Sequence, residues 1–282
     1  MLIEIFCKYV LVLFIICNNQ SFCKKLETYV KEYIPFPERI KELELVPNQF
    51  SWSMQNEFIF IDNFRDEIFL LKNNGEINLP TGAKWGNEVN SEIIWAGKSH
   101  QGIKIVDRLK NNITYMDFRL NTIKTISLNL KLYPDLVAED PWGLLYIYSQ
   151  TFGAIFLLDN LSLNIIPFVD LNKERFLSNC ISDMETDKDG NLAILGCDGS
   201  FYKFSKNGLK TLSYNSILEN SKFLVSINND WLIMNNNGVG KTIRSERQIE
   251  IPKSSLPIVD IESIESSIAI LTIDHILILN VK

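Results

Sequence analysis

Short apolar or alternating runs dominate the chain, and turn-forming residues separate them. The run over 144–149 follows the turn D-P-W-G at 140–143, and the run over 191–196 follows the turn D-K-D-G at 187–190. The runs are rich in β-branched and aromatic residues, which is typical of strands, and Asp and Gly are typical of hairpin turns. The pattern therefore predicts a succession of β-hairpins.

These hairpins recur in six units of similar length. The second strand of each unit is predicted to begin near Phe58, Ile103, Leu144, Leu192, Trp231 and Ile268. This spacing is close to the ~40–50 residue period of four-stranded propeller blades. We therefore expect an all-β fold, a β-propeller of about six four-stranded blades.

The sixth unit has room for only three strands before the chain ends, so the ring needs a strand from elsewhere. An unpaired sheet edge is a liability, and closure removes it. The segment over 42–46 (E-L-E-L-V) alternates polar and apolar residues as a strand does, and we predict that it supplies the missing outer strand. The segment over 24–33 is predicted to be a short amphipathic helix, ended by Pro35 and Pro37.

The spacing and the D-x-x-G hairpins at 140–143 and 187–190 resemble six-bladed β-propellers of the NHL and YVTN-like kind. The resemblance covers residues 42–282. It implies a rigid disc whose loops present a broad surface, and a fold of this kind does not determine a function.

The N-terminus has the features of a targeting segment. Lys8 precedes the apolar run over 9–17, which is too short to span a bilayer and fits the core of a secretory signal. Ser21 and Cys23 supply small residues before a cleavage point at Lys24. We expect a signal peptide over 1–23, a short helix and linker over 24–41, and a propeller over 42–282. The protein would then be exported, periplasmic or extracellular, without a transmembrane span in the mature chain. An uncleaved anchor and a buried N-terminal helix are the alternatives.

Two cysteines, Cys180 and Cys197, remain outside the targeting segment. If the turn at 187–190 is a four-residue loop, residues whose numbers add to 377 lie opposite each other, and this pair does so. Facing residues of a non-hydrogen-bonded pair approach to about 4.5 Å between Cα atoms, within disulfide reach. A disulfide and two buried thiols are both compatible with the sequence.

Composition narrows the function further. Hydrophobic residues make up 46% and charged residues 22% of the chain, as in a folded globular protein. The net charge is −6 and no run of Lys and Arg occurs, which argues against nucleic acid as a partner.

No cofactor motif is complete. The segment G-V-G-K-T at 238–242 has Asn235 where a phosphate-binding loop needs glycine, and no helix pattern follows, so we expect a loop between strands. In the acidic segment over 183–191, counting from Asp187, Gly190 falls at the fourth position and not at the sixth, as a calcium loop requires, so a hairpin turn is expected. His100 and His275, the two histidines, have no acid–base set beside them in the sequence.

The leading hypothesis is a non-enzymatic binding or scaffolding protein with a protein partner. Trp142 and Trp231 lie at or beside turns and are the candidates for an exposed binding face, which could also take carbohydrate; packing between blades is the alternative. The competing hypothesis is a lactonase-like hydrolase with a metal in the central channel. Its candidate acids are Asp135, Asp183 and Asp260, near the ends of inner strands.

Overall fold

The structure of the chain is a computed structural model, and it describes residues 25–53, 57–80, 91–99, 102–159, 162–173 and 180–282. The described part folds into six antiparallel sheets, which are the blades of a β-propeller. Almost no helix is present in it. The first strand of each blade lies against the first strands of the two adjacent blades, so that six inner strands surround a central channel.

Within each blade the strands follow one another from the centre outwards. The chain begins with β1 (Thr28–Pro35) and the short helix α1 (Glu38–Glu42). Blade 1 contains β2 (Gln49–Trp52), β3 (Phe58–Asp62), β4 (Glu67–Leu71) and β5 (Ile77–Asn78). Blade 2 contains β6 (Ile93–Ser99), β7 (Gly102–Asp107), β8 (Asn112–Met116) and β9 (Thr122–Ser127). Blade 3 contains β10 (Leu136–Glu139), β11 (Leu145–Ser149), β12 (Ala154–Asp159) and an outer strand in two pieces, β13 (Ser162–Leu163) and β14 (Val169–Asp170).

The remaining blades keep the same plan. Blade 4 contains β15 (Ile181–Thr186), β16 (Leu192–Gly196), β17 (Phe201–Phe204) and β18 (Lys210–Tyr214). Blade 5 contains β19 (Ser221–Ile227), β20 (Asp230–Asn235), β21 (Val239–Thr242) and β22 (Gln248–Glu250). A 3₁₀ turn (Lys253–Ser255) leads to blade 6, which contains β23 (Asp260–Ile264), β24 (Ser267–Leu271) and β25 (His275–Val281).

The second strands carry the strongest pattern because both of their faces are buried between blades. Every residue of β3, β11, β16 and β24 is buried. The outer strands β9 and β18 are largely exposed, so their sequences carry a weaker apolar signal. The predicted starts of the six second strands are confirmed to within one residue in every blade.

An N-terminal strand closes the ring, as predicted, but a different segment does so. Strand β1 pairs antiparallel with β25, from Thr28 opposite Val281 to Pro35 opposite His275, and becomes the outer strand of blade 6. The helix predicted over 24–33 is therefore wrong over its part in β1. An outer strand pairs along one edge only and lies mostly in solvent, so it has no buried face to produce a period of two.

The segment over 42–46 is not a strand. Helix α1 ends at Glu42, and Glu44 takes a left-handed conformation with φ of 53°. The Val46 N–H donates to Asp62 Oδ2 of blade 1 at 2.8 Å. The alternation of E-L-E-L-V reflects the burial of Leu45, which packs beneath blades 1 and 6. The propeller accordingly begins at Thr28 and not at residue 42.

The targeting segment predicted over 1–23 lies outside the described residues. In the part of the chain that the structure describes, no helix has the length and apolar character needed to cross a membrane.

Candidate functional site

A large cavity opens on one face of the disc. Strands alternate in direction, so the hairpins between first and second strands all lie at the same face, which we call the cavity face. The cavity there has a volume of about 2050 Å³ and is lined by residues of all six blades. One lining residue from each inner strand is Ser51, Gly97, Glu139, Glu185, Ser226 and Glu262.

Blades 4 and 6 share a short motif on their inner strands, Asp-x-Glu-Thr/Ser, at 183–186 and 260–263. The aspartate of each motif accepts a hydrogen bond from the backbone of the next blade. Asp183 Oδ2 accepts from the Leu224 N–H at 2.7 Å. Asp260 Oδ2 accepts from the Phe50 N–H at 2.9 Å, which joins blade 6 to blade 1 where the ring closes.

The hydroxyl group of the motif makes the corresponding bond to the preceding blade. Thr186 Oγ1 donates to the Glu139 carbonyl at 2.7 Å, and Ser263 Oγ donates to the Ser226 carbonyl at 2.6 Å. The motif therefore connects one inner strand to both neighbours through side chains, since neighbouring blades do not share a backbone ladder. Between its aspartate and hydroxyl residue stands a glutamate that lines the cavity.

Among the described residues, six carboxylates line the cavity without being exposed at its rim, and four of them are compensated. Three form ion pairs and one accepts backbone N–H groups. The pairs are Lys98 with Glu57, Lys104 with Glu139 at 2.5 Å and Lys203 with Asp187 at 2.8 Å; Asp140 accepts from the Trp142 and Leu144 N–H groups, both at 2.9 Å.

Among the described residues, the two glutamates of the motif have no ion pair and no hydrogen-bond donor from outside their own strand. Glu185 accepts one hydrogen bond, from the N–H of the adjacent Thr186 at 3.0 Å. Glu262 has neither a hydrogen bond nor an ion pair within the described part of the chain. Burial, together with the charge of Asp260, raises the pKa of Glu185 to about 7. Burial raises the pKa of Glu262 well above its usual range, and the charges of Glu185, Asp260 and Asp183 raise it further.

Burial also raises the pKa of the two motif aspartates, although backbone N–H donors oppose the shift. The pKa of Asp260 is about 7, and that of Asp183 lies well above its usual range. At neutral pH, two carboxylates of the channel wall between blades 4 and 6, Glu185 and Asp260, are therefore close to their titration range.

The structure does not bring together the three acids of the metal hypothesis as a ligand set. Asp183 and Asp260 bind backbone N–H groups, as described above. Asp135 forms an ion pair with Arg108 at 3.1 Å and accepts from the Gln150 N–H at 2.6 Å, at the junction of blades 2 and 3. Among the described residues, no three His, Cys, Asp or Glu side chains converge as a metal site would require.

Cys180 and Cys197 are joined by a disulfide, with Cα atoms 5.5 Å apart. The pairing arises differently from the sequence argument. From Thr186 opposite Leu192 the partner numbers add to 378, because the loop between β15 and β16 is one residue longer than expected. A register shift between Ile181 and Asp183 restores 377 at the cysteines. The two one-residue differences cancel.

The two tryptophans proposed for a binding face differ in exposure. Trp142 is 66% exposed on the rim of the cavity, and its ring lies over Gly190 of blade 4. A Cβ at Gly190 would lie 2.5 Å from the Trp142 ring, so the glycine permits this contact. Trp231 is only 2% exposed and packs against Phe201, so its proposed place on an exposed face is wrong.

His275 is buried and belongs to a hydrogen-bond network that the sequence did not reveal. Its Nε2 lies 3.1 Å from Ser255 Oγ and its Nδ1 lies 2.7 Å from Asp274 Oδ1, which is the order of groups in a serine hydrolase triad. Ser255 is 3% exposed and does not line the cavity. The network therefore connects the buried Ser255 of the 3₁₀ turn to blade 6, with Asp274 at the exposed end. His100 lies outside the described residues.

The remaining motifs are structural. Val239–Thr242 of the G-V-G-K-T segment form strand β21, and not the loop that we expected, while Gly238 occupies the preceding hairpin turn with φ of 76°. The turn at 187–190 is confirmed as a hairpin turn, since Asp187 Oδ1 accepts from the N–H groups of Asp189 and Asn191 at 3.0 and 2.9 Å.

No protein-family model matches the chain, and no curated protein matches it. Solved structures do match in fold. A virginiamycin B lyase from Staphylococcus aureus has a TM-score of 0.61 at 11% identity, covering 90% of this chain and 99% of that one. A gluconolactonase-like protein has a TM-score of 0.61 at 9% identity, covering 91% of this chain and 92% of that one. YCF48 bound to a D1 peptide has a TM-score of 0.60 at 10% identity, covering 84% of this chain and 78% of that one. Identities this low show a shared propeller fold.

Proposed function

We propose that this protein is a non-enzymatic binding module of the cell envelope or exterior, which holds a segment of a partner protein in the cavity on its cavity face. The observation that carries the proposal is the cavity itself, about 2050 Å³ and lined by all six blades. A segment of extended chain with several side chains fits a space of this size, which is larger than typical small-molecule pockets of ~300–1,000 Å³.

The wall of the cavity supports this proposal. Ion pairs and motif hydrogen bonds link each blade to the next, so that the wall is fixed before a partner arrives. Preorganisation of this kind lowers the entropic cost of binding. Exposed aromatic residues at the rim, Trp142 and Phe118, supply the apolar contact area that protein interfaces favour.

A lactonase-like hydrolase with a metal in the channel is the second candidate, favoured by the carboxylates on β15 and β23. The fold neighbours include both enzymes and a peptide-bound protein, so the fold does not decide between them. Metal content of the purified protein separates the two: stoichiometric Ca²⁺ or Zn²⁺ together with lactone hydrolysis would favour the enzyme.

The test of the binding function is site-specific photocross-linking in the native host. A benzoylphenylalanine replaces Phe118 or Lys188 at the cavity, and in the control it replaces Phe64, an exposed phenylalanine of the hairpin between β3 and β4 on the opposite face. Phe118 and Phe64 form a matched pair because both substitutions are conservative. We expect one protein to be captured from both cavity positions and not from Phe64.

Capture of the same protein from Phe64 with equal yield would contradict the assignment of the partner to the cavity. Failure to capture any protein from either cavity position, in a well-expressed and folded variant, would overturn the binding function. Tryptophan fluorescence with cell-wall glycans then tests carbohydrate as the ligand class.

A further inference from the structure

Glu185 and Glu262 occupy the same position of the shared motif, on two inner strands with one strand between them. Strands β15, β19 and β23 follow one another around the ring. Ser226 of β19 lines the cavity between the two glutamates, and its carbonyl already accepts a hydrogen bond from Ser263. The two carboxylates therefore face the same part of the cavity from either side of blade 5.

The other carboxylates of the cavity wall show which partners Glu185 and Glu262 lack. Wherever another carboxylate is held below the rim, the fold supplies a lysine or backbone N–H donors to it. A partly buried carboxylate without a partner is costly, and two on one wall repel each other. Among the described residues, Glu262 has no hydrogen-bond donor, and neither glutamate forms an ion pair with a lysine or arginine. The wall is thus complementary to a positive charge that the described chain does not provide.

The donor set distinguishes between kinds of cation. Calcium takes about six to eight oxygen ligands, whereas no third acid, histidine or cysteine converges with these two glutamates among the described residues. An ammonium or guanidinium group needs less: its N–H groups bond to one or two carboxylates in charge-assisted hydrogen bonds. Trp142, whose ring lies over Gly190 of blade 4 at the rim, offers apolar surface for the alkyl stem of a long cationic side chain.

We infer that the cavity binds a lysine or arginine side chain of the partner segment, with its cationic group between Glu185 and Glu262. This inference rests on the proposed binding function and names the chemistry of the partner. The ligand class is a segment that carries a basic residue, and repulsion disfavours an acidic side chain at the position between the two glutamates.

The probe is a fluorescein-labelled peptide with two arginines spaced by glycine, and its control is the same peptide with citrulline, which keeps the shape and loses the charge. Fluorescence anisotropy is measured with the full chain at pH 8. We expect the arginine peptide to bind at least tenfold more tightly than the citrulline peptide. The double variant Glu185→Gln and Glu262→Gln should remove this preference.

The matched control is Glu265→Gln, which removes one negative charge from the exposed rim of the same cavity and should change affinity less than twofold. Urea unfolding checks that each variant is folded. Equal binding of the two peptides to the wild type, or an unchanged preference in the double variant, would overturn the inference.

Failure of this inference is distinguishable from failure of the proposed function. If photocross-linking from Phe118 and Lys188 captures the partner equally well in the wild type and the double variant, the cavity binds a segment without using this charge. If the yield falls at least fivefold in the double variant only, the cationic contact is supported in the native host.

Discussion

The two sides of the cavity treat buried charge in opposite ways. Between blades 2 and 3, Lys104 is 8% exposed, and its Nζ donates to Glu139 Oε1 at 2.5 Å and to the Gly143 carbonyl at 2.9 Å. Between blades 4 and 6, Glu185 and Glu262 face the same cavity, and no lysine or arginine of the described residues pairs with them. Charge that is compensated within the fold joins blades, whereas charge that is left uncompensated is available to a ligand. The presence of a glutamate in the wall does not show whether its charge is paired, because both sides of the cavity are lined by glutamate.

The largest expected effect on stability comes from removing the cation of the Lys104–Glu139 ion pair on the compensated side. Lys104→Met leaves Glu139 partly buried without its cation, and removing one member of a buried pair costs about 3–5 kcal/mol. We expect the free energy of unfolding, measured by urea denaturation at pH 7, to fall by about this amount. Binding of the arginine peptide should change little in the fraction that is folded.

The double variant Lys104→Met and Glu139→Gln separates a lost charge from lost packing. Removing both charges should recover at least half of the stability that the single variant loses. If the double variant is no more stable than Lys104→Met, the aliphatic stem of Lys104 and not its charge is what stabilises blades 2 and 3.

A smaller loss is expected at the ring closure. Asp260→Ala removes the acceptor of the Phe50 N–H and should cost about 1–3 kcal/mol, the usual penalty for a buried donor without a partner. Asp260→Asn keeps an acceptor oxygen and should retain most of the stability. Thermal unfolding of both variants is the measurement, and equal losses in the two would mean that charge, and not the hydrogen bond, matters here.

The smallest expected effect is a pH-dependent gain in stability when Glu185, on the uncompensated side, is replaced by glutamine. The pKa of Glu185 rises from its ordinary 4.5 to about 7 in the folded protein. The folded state therefore binds a proton more tightly than the unfolded state, and the associated stability is present below about pH 4.5 and lost as pH rises through 7. Glu185→Gln does not titrate, so its stability relative to the wild type should increase by about 1–2 kcal/mol between pH 5 and pH 8.

Urea denaturation of the wild type and Glu185→Gln at pH 5, 6.5 and 8 measures this difference. Asp260 and Glu262 face Glu185 from β23 and Asp183 lies on its own strand, so all three continue to titrate in both proteins. A difference that stays constant across the three pH values would show that Glu185 is ionised normally in the folded state.

The sequence predicted the blades well because their second strands are buried on both faces. Apolar runs such as that beginning at Phe58 or Leu192 have no alternative environment, and their spacing alone indicated the number of blades. Strand β1 was missed for the converse reason. It is an outer strand in solvent, and its partner β25 lies at the other end of the sequence.

The candidate site was only partly predictable. Asp183 and Asp260 were expected near the channel, but their hydrogen bonds to neighbouring blades depend on contacts across the ring. Glu185 and Glu262 were not singled out, because the sequence does not show which residues of an inner strand face the channel. The signal available was the repetition of Asp-x-Glu-Thr/Ser at 183–186 and 260–263, which a blade-by-blade alignment of inner strands would have found.

The pairing of β1 with β25 sets an order of events during synthesis. Thr28 emerges from the ribosome long before its partner Val281, and at ~5–20 residues per second the interval is on the order of 10–50 s. During that time β1 has no strand to pair with, and blade 6 is incomplete while the first five blades are already synthesised. Until then the growing chain exposes an unpaired strand edge, and deletion of β25 would leave β1 without its partner.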